Sequence, residues 1–253
     1  MGRTDRAFKN RAAQYRPDMH LLVGADRVAL SGHLGEIRRH AHATAAVVVG
    51  LDRPLRFVAD DRSRESRAAL LAPGFSHAVE VRGSRVAVFL LPAVAARAPL
   101  RDLHPGTWLE LADHVGRLDD FEPIDRALAR EVAAPIDDRL AEVIEQMAER
   151  LDQNVPLDEL AAGVRLSAAR LMTLAREQLG VPLREYRRWL RTFRVARQYA
   201  AGASLTGAAL DAGFSSSAHL SVAARAHFGI RPSQVLSPAN RSRIVHARRP
   251  ASA

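Results

Sequence analysis

Arginine is the residue that gives this chain its most evident chemistry. From Gly163 to the C-terminus, 15 arginines stand against three acids, Glu177, Glu185 and Asp211, an excess of 12 positive charges. The stretch before it, 136–162, is acidic. Guanidinium groups stay charged, and their fork of N–H donors matches phosphate oxygens. Their concentration at one end of the chain points to a polyanion, of which nucleic acid is the commonest. Arg241, Arg243, Arg248 and Arg249 read as a solvated, flexible basic tail over 237–253, but the other arginines fall inside helical patterns. If 183–200 is a helix, Arg184, Arg187, Arg188, Arg191 and Arg194 lie within about 120° of arc. Tyr186, Trp189, Leu190, Phe193, Ala196 and Ala200 then take the opposite side. Such a stripe is either a solvated amphipathic face or a track for phosphates.

Other chemistries find less support. The chain has no cysteine, which excludes disulfides and thiolate catalysis and suits a reducing cytosol. It has no Gly-rich phosphate loop and no nucleophile elbow. No run approaches the roughly 18 apolar residues that cross a bilayer. The start, MGRTDRAFKNRAAQYRP, is basic without an apolar core, so it does not read as an export signal and a cytoplasmic location is expected.

The 253 residues, 47% of them hydrophobic, suffice for two ordinary domains. Short β-branched runs recur about every ten residues in the first part: 20–23, 27–31, 44–50, 54–59, 67–73, 77–81 and 85–91. Punctuated by Gly and Pro, they predict an antiparallel sandwich or barrel. After residue 135 every apolar pattern is helical. The expected division is a β-domain over 1–118, a connecting helix within 119–135, a helical domain over 136–236, and the tail. The fold class is α+β.

The helical domain repeats itself. VPLDELAAGVRLS (155–167) matches ASLTGAALDAGFSS (203–216), with Leu157, Leu160 and Ala161 answered by Leu205, Ala208 and Ala209. Each segment leads to a serine suited to cap a second helix, Ser167 or Ser216. Those second helices match at an offset of 49: Ala169 with Ala218, Leu171 with Leu220, Ala175 with Ala224, and Leu179-Gly180-Val181 with Phe228-Gly229-Ile230. Helix, tight turn, helix and a Gly stop is the helix-turn-helix pattern, and two in register are far harder to obtain by chance than one.

Residues 137–236 resemble the DNA-binding domain of AraC-type transcription regulators. SAARLMTLAREQLGVPLREY (167–186), the Arg-rich linker helix, and AGFSSSAHL with FGIRP (212–232) carry the resemblance. It implies a bilobed, all-α domain whose two recognition helices enter adjacent major-groove segments of double-stranded DNA, in a protein that is a homodimer and not an enzyme. The groove-facing positions it implies are Ala169, Met172 and Thr173 in the first helix, and Ser217, Ala218, His219, Ser221 and Val222 in the second, with Ser216 at its cap. Arg170, Arg176, Arg187, Arg191, Arg194 and Arg225 become phosphate contacts. None of the groove positions can read a base through two hydrogen bonds, so specificity leans on thymine methyls, single hydrogen bonds and DNA shape. Ala175, Leu220 and Ala224 stand where the family usually has aromatics, which predicts thinner packing. Arg165 stands where the second unit has Gly213.

Segment 20–91 resembles the cupin-like domains that bind effectors or dimerise in such regulators. The matching residues are Gly35-x4-His40-x-His42, Gly50, and Pro73-Gly74-Phe75-Ser76-His77. The resemblance implies that His40, His42 and His77 point into a barrel. Two histidines two apart share one strand face, which suits joint ligation, and imidazoles alone suit Zn²⁺ or a similar divalent ion. The acidic ligand of metal cupins is missing. The same histidines could instead line a pocket for an organic small-molecule effector, and a cupin-type metalloenzyme fused to a DNA-targeting domain, or a nucleoid-type binder, are the competing functions. His20, His33, His104 and His114 have no such pairing and read as ordinary surface or core residues.

Overall fold

A computed structural model of the chain describes residues 19–24, 27–91, 99–104, 106–107, 110–111, 121–128, 136–236 and 244–246. His114, most of the linker and most of the basic tail lie outside them.

All seven apolar runs form strands: β1 (His20–Val23), β2 (Val28–Gly32), β4 (Ala45–Gly50), β5 (Leu55–Ala59), β7 (Ala68–Leu71), β8 (His77–Glu80) and β9 (Val86–Leu91). Three polar segments add β3 (Ile37–His40), β6 (Arg62–Ser66) and β10 (Leu100–Asp102). A further short strand, β11 (Ile244–His246), lies in the region expected to be a flexible tail, so that expectation fails for these three residues. The strands make two sheets, β10-β7-β4-β9-β2-β1-β11 and β3-β8-β5-β6, antiparallel except where β11 runs parallel to β1. The expected barrel is therefore open, a two-sheet cupin-like sandwich.

Period-two alternation divides the large sheet between two cores. Ala46, Val48, Val88 and Leu90 face the small sheet and the helical domain. Ala45, Val47, Val49 and Phe89 face outward, where α1 (Glu122–Leu128) covers them with Ile124, Ala127 and Leu128. Both faces being covered explains why β4 and β9 are buried along their whole length.

The helical domain follows: α2 (Asp138–Glu149), α3 (Leu157–Gly163), α4 (Ala168–Leu179), α5 (Leu183–Ala200), α6 (Leu205–Asp211), α7 (Ser217–Phe228) and a single turn, α8 (Pro232–Val235). The linker helix α5 spans the predicted residues, and Tyr186, Trp189, Leu190 and Phe193 are buried as expected. Trp189 and Phe193 stack with centroids 5.5 Å apart. One continuous apolar core joins this domain to the sandwich, since Leu21, Leu30 and Leu90 pack in the same cluster as Trp189, Leu220 and Ile230.

Candidate nucleic-acid interface

The two helix-turn-helix units are built alike. Both second helices, α4 and α7, have 12 residues. Ser167 accepts a hydrogen bond from the Arg170 N–H, and Ser216 from the His219 N–H, caps worth about 1 kcal/mol each. Both helices stop on a left-handed glycine, Gly180 (φ 71°) and Gly229 (φ 68°). The turn correspondence also holds: Arg165 has φ 56° and Gly213 has φ 82°. Only glycine adopts that conformation freely, so the first unit carries a strained arginine where the second does not.

The outward faces are the expected ones. Ala169, Arg170, Met172, Thr173 and Arg176 are exposed on α4. Ser216, Ser217, Ala218, His219, Val222 and Arg225 are exposed at and along α7, with Ser221 half-buried. Met172 and Val222 are 46% and 60% exposed, two of the three large hydrophobic side chains left in solvent among the described residues. The Ser215 hydroxyl and the His219 ring are hydrogen-bonded at 3.1 Å, and the ring stands edge-on to Phe214, which fixes its direction.

The arginine stripe departs from expectation. Arg187 donates to Asn154 Oδ1 at 3.0 Å and to the Val155 carbonyl at 2.6 Å. Arg191 donates to the Leu151 carbonyl at 3.1 Å, and its Nε would lie 3.3 Å from a Cβ on Gly213. Arg194 is half-buried and shares a groove with Glu145 and Glu149 of α2. These three were expected on phosphates, yet two of them tie the loop after α2 to the linker helix. The physical reason is that the turn between α2 and α3 leaves the buried Leu151 and Val155 carbonyls outside any helix ladder, a need that helical-wheel arithmetic cannot see. Arg184 and Arg188 remain outward, with side chains 83% and 45% exposed.

The sandwich touches α4 and α7 at their C-terminal caps. At α7, the Arg38 N–H donates to the Gly229 carbonyl (3.2 Å) and the Ala41 N–H to the Ala226 carbonyl (3.1 Å). A Cβ on Gly229 would lie 2.4 Å from the Arg38 oxygen and 2.7 Å from His40 Nδ1. At α4, the contact is looser: a Cβ on Gly180 would meet Pro73 at 3.4 Å.

Between these contacts lies the histidine cluster. His40, His42 and His77 are buried, and one ligand nitrogen from each lies within 4.8 Å of the others. His40 ends β3 and faces His77 at the start of β8 in register. His42 is not on that strand, as its spacing suggested, but two residues past its end. The rings still meet, with His40 Nε2 and His42 Nε2 3.1 Å apart. His40 Nδ1 lies 2.7 Å from the Arg38 carbonyl and His77 Nδ1 lies 2.9 Å from the Phe75 carbonyl. A carbonyl only accepts, so both Nδ1 atoms carry the proton and both Nε2 atoms present lone pairs. Burial, and then the neighbouring His77, lower the pKa of His40 from 6.5 to about 3 against the opposing Arg38 hydrogen bond. Burial, followed by the His40, His77 and His227 imidazoles, holds His42 well below the usual range. Burial likewise lowers His77 and His227. His227, on the inner face of α7, is a member of this neighbourhood that no spacing in the sequence signals.

A cavity of about 80 Å³ lies at the seam between Leu21, Val28 and Leu30 of the sandwich and Trp189, Leu220, Ala224 and Phe228 of the helical domain. The thin packing expected at Leu220 and Ala224 is present here. Apart from Thr192 and Arg231 its lining is apolar.

Residues 160–237 match the model of a helix-turn-helix domain family. These residues form a helix-turn-helix domain. The fold of the chain is similar to that of ToxT from Vibrio cholerae O395, with 12% sequence identity and a TM-score of 0.59 over 87% of this chain and 96% of that one. A ToxT structure from V. cholerae strain SCE256 with a bound unsaturated fatty acid compares at 13% identity and a TM-score of 0.58, over 87% of this chain and 94% of that one. An AraC-type DNA-binding-domain protein from Chromobacterium violaceum is 28% identical over 42% of this chain and 93% of its own, with a TM-score of 0.38. No curated protein matches the chain. No helix among the described residues is long and apolar enough to cross a membrane.

Proposed function

We propose that the chain is an AraC-type DNA-binding transcription regulator that acts in the cytoplasm as a homodimer, that α4 and α7 read adjacent major-groove segments, and that a small effector bound at the seam between the domains tunes that reading. The observation that carries it is the pairing of like faces: two capped 12-residue helices, each exposing an apolar side chain, Met172 or Val222, among small polar neighbours. Such a face suits thymine methyls and single hydrogen bonds. Arg170, Arg176 and Arg225 flank the faces and, with Arg184 and Arg188, supply phosphate contacts.

The effector part of the reading rests on the seam cavity. It is walled by both domains, so a molecule entering it binds the docked arrangement and a separated one unequally, which is the condition for shifting between them. The fatty acid bound by ToxT supports an apolar, acid-bearing molecule, and Arg231 on the cavity wall could meet a carboxylate.

The test is competition of the full chain between the DNA upstream of its own gene and bulk DNA. The reading requires a preference of about 10³-fold or more. Affinity should fall steeply between roughly 50 and 200 mM salt as phosphate contacts release counterions. Equal affinity for all DNA would refute sequence-specific reading.

A further inference from the structure

We propose that His40, His42 and His77 hold a divalent transition metal, Zn²⁺ by the nature of their donors, and that this ion sets how firmly the sandwich grips the ends of both reading helices. The inference rests on the reading of α4 and α7 as DNA readers, but its chemistry is separate from it.

The cluster has the donor geometry of a metal site. Its ligand atoms are 3.1–4.8 Å apart, whereas nitrogens around tetrahedral zinc lie roughly 3.4 Å apart, so ligation needs small ring rotations and a shift of the His42 proton from Nε2, which shares it with His40, to Nδ1. Backbone carbonyls fix the Nδ1–H tautomer of His40 and His77 from behind, the outer-shell arrangement that aims Nε2 at a metal. His77 is fully buried and, among the described residues, its Nε2 has no hydrogen-bond partner, a costly omission unless something takes up the lone pair. Beside the three rings is a cavity of about 20 Å³, room for a single ion or water, walled on the helical side by Phe228 and Ile230.

The position of the cluster links it to both readers. Arg38, whose carbonyl orients His40, is the residue whose N–H holds the Gly229 carbonyl at the end of α7. The His42 carbonyl accepts from the Gly74 N–H at 2.8 Å, and a Cβ on Gly74 would lie 3.2 Å from the Gly180 carbonyl at the end of α4. The loops that carry the ligands thus each abut one recognition-helix cap. An ion drawing the three rings together tightens both loops, and its loss frees them to separate. Three ligands leave one coordination position for water or for a small anion.

Untagged full-length protein, stripped with a chelator and titrated with Zn²⁺, should bind one ion per chain. Co²⁺ in its place should show the visible ligand-field bands of a tetrahedral site. Hydrogen exchange should slow at the amides of Arg38, Ala41 and Gly74, by up to about 100-fold when free zinc is 100 times Kd. His77→Gln and His42→Gln should each abolish the bands and the slowing, with circular dichroism confirming that the variants are folded. If the variants unfold, exchange in the unaltered chain with and without zinc still decides. No stoichiometric binding at micromolar zinc, binding that survives both substitutions, or binding that leaves the three amides unchanged would overturn the proposal. None of these readouts involves DNA, so a failure here is distinct from a failure of the DNA-reading assignment.

Discussion

The two helix-turn-helix units expose like faces but have unequal support. α4 buries three leucines, Leu171, Leu174 and Leu179, with Ala175. α7 buries one leucine, Leu220, with Ala223, Ala224 and His227, and leaves a cavity beneath. The end of α4 rests on Pro73 by van der Waals contact, whereas two backbone hydrogen bonds hold the end of α7 to β3 and the loop after it. The first unit is thus secured by its own core and the second by the sandwich. A reader stabilised from within stays ready for DNA, while one stabilised by a neighbouring domain can be controlled through that domain.

The glycine caps give the largest expected contrast. Gly229→Ala combines the left-handed cost of about 1–2 kcal/mol with a clash against the Arg38 carbonyl and His40 of about 1–3 kcal/mol. Gly180→Ala meets only ordinary contacts at 3.4 Å and should cost about 1–2 kcal/mol. Urea unfolding of the two variants measures the difference, and equal costs would break the comparison.

The linker arginines come next. Replacing both Arg187 and Arg191 with Ala should destabilise the protein by about 1.5–3 kcal/mol, because charged donors leave buried carbonyls unsatisfied. Arg184→Ala with Arg188→Ala should leave stability nearly unchanged and lower affinity for all DNA alike. If the first pair weakened DNA binding with no loss of stability, those arginines would be phosphate contacts after all.

A smaller effect separates the two alanines at matching positions. Ala224→Leu extends into the seam cavity and should stabilise by about 1 kcal/mol while removing room for an effector. Ala175→Leu, at a wholly buried position outside that cavity, should destabilise by about 1–3 kcal/mol. Thermal melting gives both signs, and the same sign for both would remove the inequality between the units.

What the sequence revealed follows from where its signals are local. The seven apolar strands and the serine and glycine caps of both units are written in short-range patterns, and all were legible. β3, β6 and β10 were not, because each is an edge strand with one neighbour among the described residues and carries charge in place of an apolar run. His40, His42 and His77 could be picked out by type and by resemblance, but the strand geometry assumed for His42 was not the one found. The positions of His227, Gly180 and Gly229 against the sandwich depend on contacts between residues up to about 190 positions apart, for which a single sequence carries no signal. The same holds for Arg187 and Arg191, whose partners Leu151, Asn154 and Val155 lie 32 to 40 residues earlier.

The central claim, two readers on one DNA, is tested most directly by selecting bound sequences from random DNA with the full chain and two variants. The unaltered protein should recover two blocks of preferred bases centred about one helical turn apart. Met172→Ala with Thr173→Ala should erase the preference in one block only, and His219→Ala with Val222→Ala in the other only. A single block, or two variants that erase the same block, would contradict the assignment of α4 and α7 as separate readers.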